Sequence, residues 1–374
     1  MENDIHALLV GRKGWFYSGK FIGSSGSMPR YAYELYNEIS RLHKINFVEI
    51  PSINFLQLYD LTIKLPSIIK FYLGSKYKEH NIIHALEPSL FLPIKNHKFL
   101  YVTTVHDLIS IIDMHMLIYV PKIGYFKNSI INKLAYSMFS ASFLFGNIGI
   151  LNAIKNSDYL LANSTQTKYE LIEFGVEKSK IFITPMGIDS RFRQKQKISN
   201  KNKRKEFIVG HISGLTYKKN TGFLVDAFNY LTKSDTVLKI YGNKTRYIEE
   251  VLKNHQDSRI VFMGFAPEEK IVDIYDSFDV FAFPSLHEGF GMPILEAQAR
   301  GLPVIIYKYG KIPKEVRKYC FEAESPEHMA QIIEQLKENG YNEKERKKAM
   351  EYARSFTWER TAKETLEVYK KVLE

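Results

Sequence analysis

The stretch 280–307 restricts the fold of this chain more than any other. Residues 280–284 form an apolar run that reads as a buried parallel strand. A loop containing Gly289 and Gly291 follows. Pro293 then suits the first helical position, where a missing N–H costs nothing. The helix it opens carries Glu296 in its first turn and stops at Gly301, and residues 303–307 are a second apolar run. Strand, glycine loop, helix and strand in this order form a parallel crossover unit. Its loop falls at the carboxyl end of a parallel strand, the edge where open α/β sheets bind ligands.

The same alternation runs through the rest of the chain. Strands are expected at 207–212, 237–241 and 259–263, with helices over 220–231 and 248–253, and a helical pattern from 327 onward. In the first half, strands are expected at 5–10, 45–50, 82–85, 99–105, 159–162 and 181–184. A helix after Pro29 places Ala32, Leu35, Tyr36 and Ile39 on one face. The 374 residues are enough for two such domains, each with its own core. The expected class is therefore α/β, with two Rossmann-like doubly wound domains. The boundaries read as 1–192 for the first domain, 206–355 for the second and 356–374 for a final helical segment. Between them, 193–205 is dense in lysine and arginine and almost free of apolar residues. That reads as an exposed linker, with a basic nucleic-acid arm as the other reading.

Glu288 and Glu296 bracket the glycine loop. A helix start favours a phosphate through its unpaired N–H groups and partial positive charge. Carboxylates on both sides can accept hydrogen bonds from sugar hydroxyls. The combination suits a nucleotide sugar, which carries hydroxyls at both ends of a diphosphate. Taken singly, Glu288 is equally well explained as a solvated loop acid and Glu296 as an acid that favours the helix dipole. Lys218 and Lys219 follow the turn at Gly214, where a lysine could neutralise a departing diphosphate. His106-Asp107 ends a strand, and a histidine there suits a binding cleft or a local hydrogen bond. Asn163-Ser164-Thr165 reads as a helix cap.

From Pro284-Ser285-Leu286-His287-Glu288-Gly289-Phe290-Gly291-Met292-Pro293-Ile294-Leu295-Glu296-Ala297 to Gly301-Leu302-Pro303-Val304-Ile305, the chain closely resembles the E-x7-E signature of the retaining glycosyltransferases of family 4. That resemblance implies a GT-B fold, two Rossmann-like domains facing a cleft, with the C-terminal helix returning to the first. It gives Glu288 and the backbone of Gly289, Phe290, Gly291 and Met292 to the donor sugar, and Glu296 to the ribose hydroxyls. Lys219 inherits a phosphate-binding role beside Gly214, although Lys218 stands where arginine is usual and Leu215 replaces a second arginine. His106 is implied at the donor sugar and Asp107 as its neighbour or an acceptor contact. Gly26-Ser27-Met28-Pro29-Arg30-Tyr31 resembles the family's Gly-Gly-x-x-Arg-Tyr loop, near the donor phosphates and the acceptor, with Ser27 in place of the second glycine. The implied reaction is hexose transfer with retention from a UDP-sugar or GDP-sugar to a glycan, lipid-linked or protein hydroxyl. No cofactor and no metal are implied.

Composition bounds the alternatives. A net charge of +11 favours anionic partners. A DNA-binding protein or nucleic-acid-directed glycosyltransferase is the competing class. A sugar-nucleotide epimerase of the same fold, lacking this signature, and a catalytically silent scaffold complete the list. Cys320 alone excludes an internal disulfide, and the polar N-terminus is unlike a signal peptide. A cytoplasmic setting is expected. Residues 134–154 lack charge but contain Gly146, Gly149, Asn147 and Asn152, and 114–133 mixes apolar residues with Lys122, Lys127 and Lys133. Both stretches read as core or loop packing, with contact at the inner membrane face as the second reading.

Overall fold

The computed structural model describes residues 5–12, 16–17, 20–21, 27–50, 80–88, 99–108, 150–151, 153–194, 206–232 and 235–374. Gly26, most of 109–154 and residues 195–205 lie outside them, and so do the expectations placed there. The chain divides into two compact units, Met1–Pro185 with Trp358–Glu374, and Met186–Thr357.

In the first unit, β1 (Ala7–Arg12) is followed by a short antiparallel hairpin, β2 (Phe16–Tyr17) and β3 (Lys20–Phe21). Then come β4 (Asn46–Ile50), β5 (Ile82–Ala85), β6 (Leu100–Val105), β7 (Tyr159–Ala162) and β8 (Ile181–Ile183). The sheet runs β4-β1-β5-β6-β7-β8, and every pair is parallel. β5 is buried at all four positions, three of them apolar, as a strand covered on both faces requires, and the fourth is His84. The helix Ser27–Leu42 buries Ala32, Leu35 and Ile39, the face expected from their spacing.

The last helix, Trp358–Leu373, belongs to this unit. A polar seam fixes it. Tyr369 OH lies 2.5 Å from His84 Nδ1, His84 Nε2 lies 2.7 Å from Thr104 Oγ1, and Thr104 Oγ1 lies 3.1 Å from Tyr31 OH. Burial, reinforced by His106, pushes His84 down to about 3, and burial pushes both tyrosines up. The seam is therefore four uncharged groups satisfying one another.

The second unit carries β9 (Phe207–Ile212), β10 (Thr236–Tyr241), β11 (Ile260–Gly264), β12 (Val280–Phe283), β13 (Val304–Tyr307) and β14 (Phe321–Ala323). Their order is β11-β10-β9-β12-β13-β14, again all parallel. The order reverses between β9 and β12, which marks that pair as the ligand-binding switch point. Gly210 is required in β9, because a Cβ there would stand 2.1 Å from the Phe278 ring. Two Rossmann-like doubly wound units result, the GT-B class expected from sequence.

The units divide at Pro185/Met186 rather than at 192. The reason is packing: Phe192 is fully buried, its ring 5.5 Å from that of Tyr275. Arg300 Nη1 donates to Gln194 O at 2.6 Å, while its Nε and Nη2 hold Asp276 at 2.8 and 2.6 Å. Arg191, paired with Asp189 and Glu268, and Phe192 are thus anchored, while Arg193 is exposed. Among the described residues no helix is long and apolar enough to cross a membrane.

Candidate functional site

The site forms where β9 and β12 end. The loop after β9 turns through Leu215 (φ 46°) and a short 3-10 turn, Tyr217–Lys219, closed by Asn220 (φ 52°). The loop after β12 is held on both sides by backbone bonds. Leu286 N–H donates to Lys218 O at 2.8 Å, Lys311 N–H to Leu286 O at 2.8 Å, and Glu288 N–H to Lys311 O at 2.9 Å. A Cβ at Gly310 would stand 2.3 Å from Ser285 O, so only glycine allows this approach.

On that frame Lys219 Nζ lies 2.5 Å from Glu288 Oε1. The Ser285 hydroxyl donates to the same oxygen at 2.5 Å. Ser285 is fully buried and Glu288 nearly so. Lys219 Nζ also stands 5.1 Å from the centre of the Phe283 ring. A cation and an anion drawn from water thus satisfy each other, with a hydroxyl fixing the carboxylate. Ser285 escaped the sequence reading; its only signal is a small polar residue one position past an apolar strand. Lys218 serves the loop through its carbonyl, and its side chain is half-buried. A Cβ at Gly214 would meet nothing within 4 Å, so packing makes no demand for glycine there.

The helix Met292–Ala299 begins at the left-handed Gly291 (φ 95°), one residue earlier than Pro293 implied. Glu296 consequently lies beyond the first turn, which holds no acidic residue. This corrects the first-turn placement and weakens the dipole explanation, because that effect fades past the first turn. Glu296 is buried, and its Oε2 accepts from Tyr275 OH at 2.9 Å. Gly289, Phe290 and Met292 are buried at the helix start, with the Phe290 ring 6.1 Å from that of Phe356. The helix ends in paired C-terminal bonds, Gly301 N–H to Gln298 O at 2.8 Å and Leu302 N–H to Ala297 O at 3.0 Å, with Gly301 at φ 72°.

In the first unit His106 follows β6. Its Nε2 lies 3.0 Å from Leu86 O. A carbonyl only accepts, so Nε2 carries the proton and Nδ1 offers a lone pair. Nδ1 is buried with no hydrogen-bond partner among the described residues. Burial lowers the pKa of this histidine, against the opposing Leu86 carbonyl and the charges of Glu87 and Asp107. Asn163 Nδ2 donates to His106 O at 2.8 Å, and the Tyr31 ring packs T-shaped against the imidazole, 4.7 Å between ring centres. Tyr31 was expected at an acceptor, but it is fully buried and its hydroxyl is engaged by Thr104. Arg30 and Asp107 are half-buried. Ser27 starts the first helix. Ser164 caps the helix Thr165–Glu173, accepting from Thr167 N–H at 3.1 Å. Glu87, nearly buried at the end of β5, also escaped the sequence reading. Among the described residues no group of three or more His, Cys, Asp or Glu is placed to hold a metal ion.

Residues 192–356 match the family model for glycosyl transferases group 1. The chain is 28% identical over 123 residues to O-antigen chain mannosyltransferase B of Escherichia coli, covering 32% of each chain. It is 26% identical over 248 residues to D-inositol 3-phosphate glycosyltransferase of Corynebacterium urealyticum, covering 58% of this chain and 57% of that one. The alignments thus span between a third and three-fifths of these relatives. In three dimensions the chain resembles Anabaena Alr3699/HepE in complex with UDP, at a TM-score of 0.68 and 17% identity over 98% of this chain and 100% of that one. It also resembles sucrose-phosphate synthase of Thermosynechococcus elongatus, at a TM-score of 0.70 and 17% identity over 99% of each chain. At such identity these two establish the fold.

Proposed function

We propose that this chain is a nucleotide-sugar-dependent glycosyltransferase of family 4 that retains the anomeric configuration. The observation that carries the reading is the Lys219–Glu288–Ser285 constellation at the switch point, beside the helix opened at Gly291. The match of 192–356 to the group 1 model supports it.

In this reading the diphosphate of a UDP-sugar or GDP-sugar lies against Lys219 and the N–H groups at the start of helix Met292–Ala299. Gly214 lets the backbone approach it. Glu288 orients the hexose and stabilises positive charge developing on its ring. Glu296, fixed by Tyr275, receives the ribose hydroxyls. The acceptor, a hydroxyl on a glycan, a lipid-linked saccharide or a protein, is assigned to the first unit. There the Nδ1 lone pair of His106 can take a hydrogen bond from a sugar hydroxyl. In the transfer the anomeric C–O bond to the diphosphate breaks and one to the acceptor oxygen forms. The acceptor proton passes to the departing phosphate, which needs no enzyme nucleophile. We place the protein in the cytoplasm, with any membrane contact at its inner face.

A thermal-shift screen of nucleoside diphosphates tests the reading, since a ligand at about 100 times its Kd adds roughly 2.7 kcal/mol of stability. UDP is the first probe, because HepE is seen with UDP-glucose. Absence of any shift with UDP, GDP or ADP at millimolar concentration would remove the donor site. Glu296→Ala should weaken the responding nucleotide by about tenfold or more, as expected when charge-assisted hydrogen bonds of roughly 1.5–3 kcal/mol are lost. Unchanged affinity would count against the ribose role. Lys219 and the helix start supply positive charge in place of a cation, so EDTA should leave transfer intact. Strict dependence on a divalent ion would break this mechanism.

A further inference from the structure

His211 lies outside the residues assigned to the donor, yet it joins the two loops that carry them. β9 and β12 share only two register pairs, Val209 with Val280 and Gly210 with Phe281. One step further the ladder is continued by a side chain, with His211 Nδ1 2.8 Å from Ala282 O. The carbonyl can only accept, so Nδ1 holds the ring proton and Nε2 must accept. Two hydroxyls face Nε2, Ser213 Oγ at 2.9 Å and Thr221 Oγ1 at 3.2 Å. Ser213 Oγ in turn accepts from Leu215 N–H at 3.1 Å.

A continuous brace therefore runs from the left-handed Leu215, through Ser213 and His211, to the strand that leads into Ser285 and Glu288. The imidazole is wholly buried, and it feels the charges of both Lys219 and Glu288. Burial holds it neutral, with a pKa near 4. The plain alternative is a core histidine whose bonds are satisfied locally. Against it stands the location: a polar group fills the point where the sheet opens, and it bonds both sides of the opening.

We propose that His211 is the positioning residue of the site. As a neutral, Nδ1-protonated imidazole it sets the spacing of loops 213–219 and 284–288, and with it the geometry of Lys219 and Glu288, without touching substrate. The proposal rests on the donor-site reading above.

The test compares wild type with His211→Phe, His211→Asn and Ser213→Ala. Phenylalanine keeps the ring and loses both bonds. Asparagine keeps a donor where Nδ1 stood. Ser213→Ala removes one half-buried hydroxyl and serves if the phenylalanine variant does not fold. UDP and GDP affinity by calorimetry, and kcat and KM for hydrolysis of UDP-glucose and GDP-mannose, are measured on protein shown to be folded by circular dichroism. His211→Phe should lower kcat on the order of 100-fold, the effect of displacing a reacting group by about 1 Å. Its nucleotide affinity should fall less, about tenfold at most, since the loss is one of geometry and not of ligand contacts. Asparagine should recover a large part of kcat, and Ser213→Ala should move kcat in the same direction as phenylalanine. A folded His211→Phe with wild-type kcat would overturn the positioning role, as would phenylalanine and asparagine variants impaired alike and only in step with lost thermal stability. Wild type that binds neither nucleotide overturns the donor reading itself, a result distinct from both.

Discussion

Glu288→Gln should lower turnover on the order of 10²–10³-fold while nucleoside diphosphate affinity holds or rises. The opposite signs follow from the geometry. The Lys219 ammonium is paired with the Glu288 carboxylate at 2.5 Å, and in the proposed reading a diphosphate would compete with that carboxylate for it. Glutamine keeps the length of the side chain and can still accept from Ser285, but it carries no charge. In the proposed reaction Lys219 would then be released toward the phosphates, and the charge developing on the sugar ring would lose its counter-ion. Steady-state donor hydrolysis and calorimetric titration with UDP or GDP measure the two effects separately. A fully active variant would take Glu288 out of the site. Loss of nucleotide affinity in parallel with turnover would move it from the sugar to the nucleotide.

Arg300→Met should produce the largest change in stability, a loss of about 3–5 kcal/mol, the cost of leaving one partner of a buried ion pair alone. Arg300 is 1% exposed and makes a two-bond pair with Asp276, whose side chain is 11% exposed. Removing the guanidinium strands that carboxylate and frees the carbonyls of Phe192 and Gln194. For a unit of this size the loss corresponds to roughly 6–20 °C in melting temperature, at about 2–4 °C per kcal/mol. Adding Asp276→Leu should recover much of it, because an apolar pair often substitutes for a buried ionic one. Scanning calorimetry of the single and double variants checks both statements. A single variant within 1 °C of wild type would show that the pair contributes nothing.

The sheets were legible because parallel strands buried on both faces have to be apolar runs, as 280–284 and 303–307 are. β14 was not, since Phe321-Glu322-Ala323 is a three-residue edge strand with a charge at its centre. Glu288, Glu296 and Lys219 stood out in the sequence and took their expected roles from the resemblance, and the folded chain pairs Lys219 with Glu288. Their supports did not stand out. Tyr275 meets Glu296 across 21 positions, and nothing in either segment advertises the contact. His211 looks like one polar interruption in a strand, and its role exists only once β12 lies alongside. The placement of Glu296 failed for a local reason, that a left-handed Gly291 starts the helix before the proline does. The linker read by charge starts at 193, yet the Gln194 carbonyl inside it is held by Arg300, and Phe192 just before it is fully buried.

The second unit is continuous in sequence, and its two ends meet: Ile188 pairs with Thr357, and Ile188 N–H donates to Phe356 O at 3.0 Å. The first unit is interrupted by it. The order of synthesis then matters. By the time the ribosome has passed residue 183 every strand of the first sheet exists, but His84 still lacks the hydroxyl of Tyr369. The whole of the second unit, Met186–Thr357, is made before that hydroxyl emerges. The half translated first is thus the half completed last.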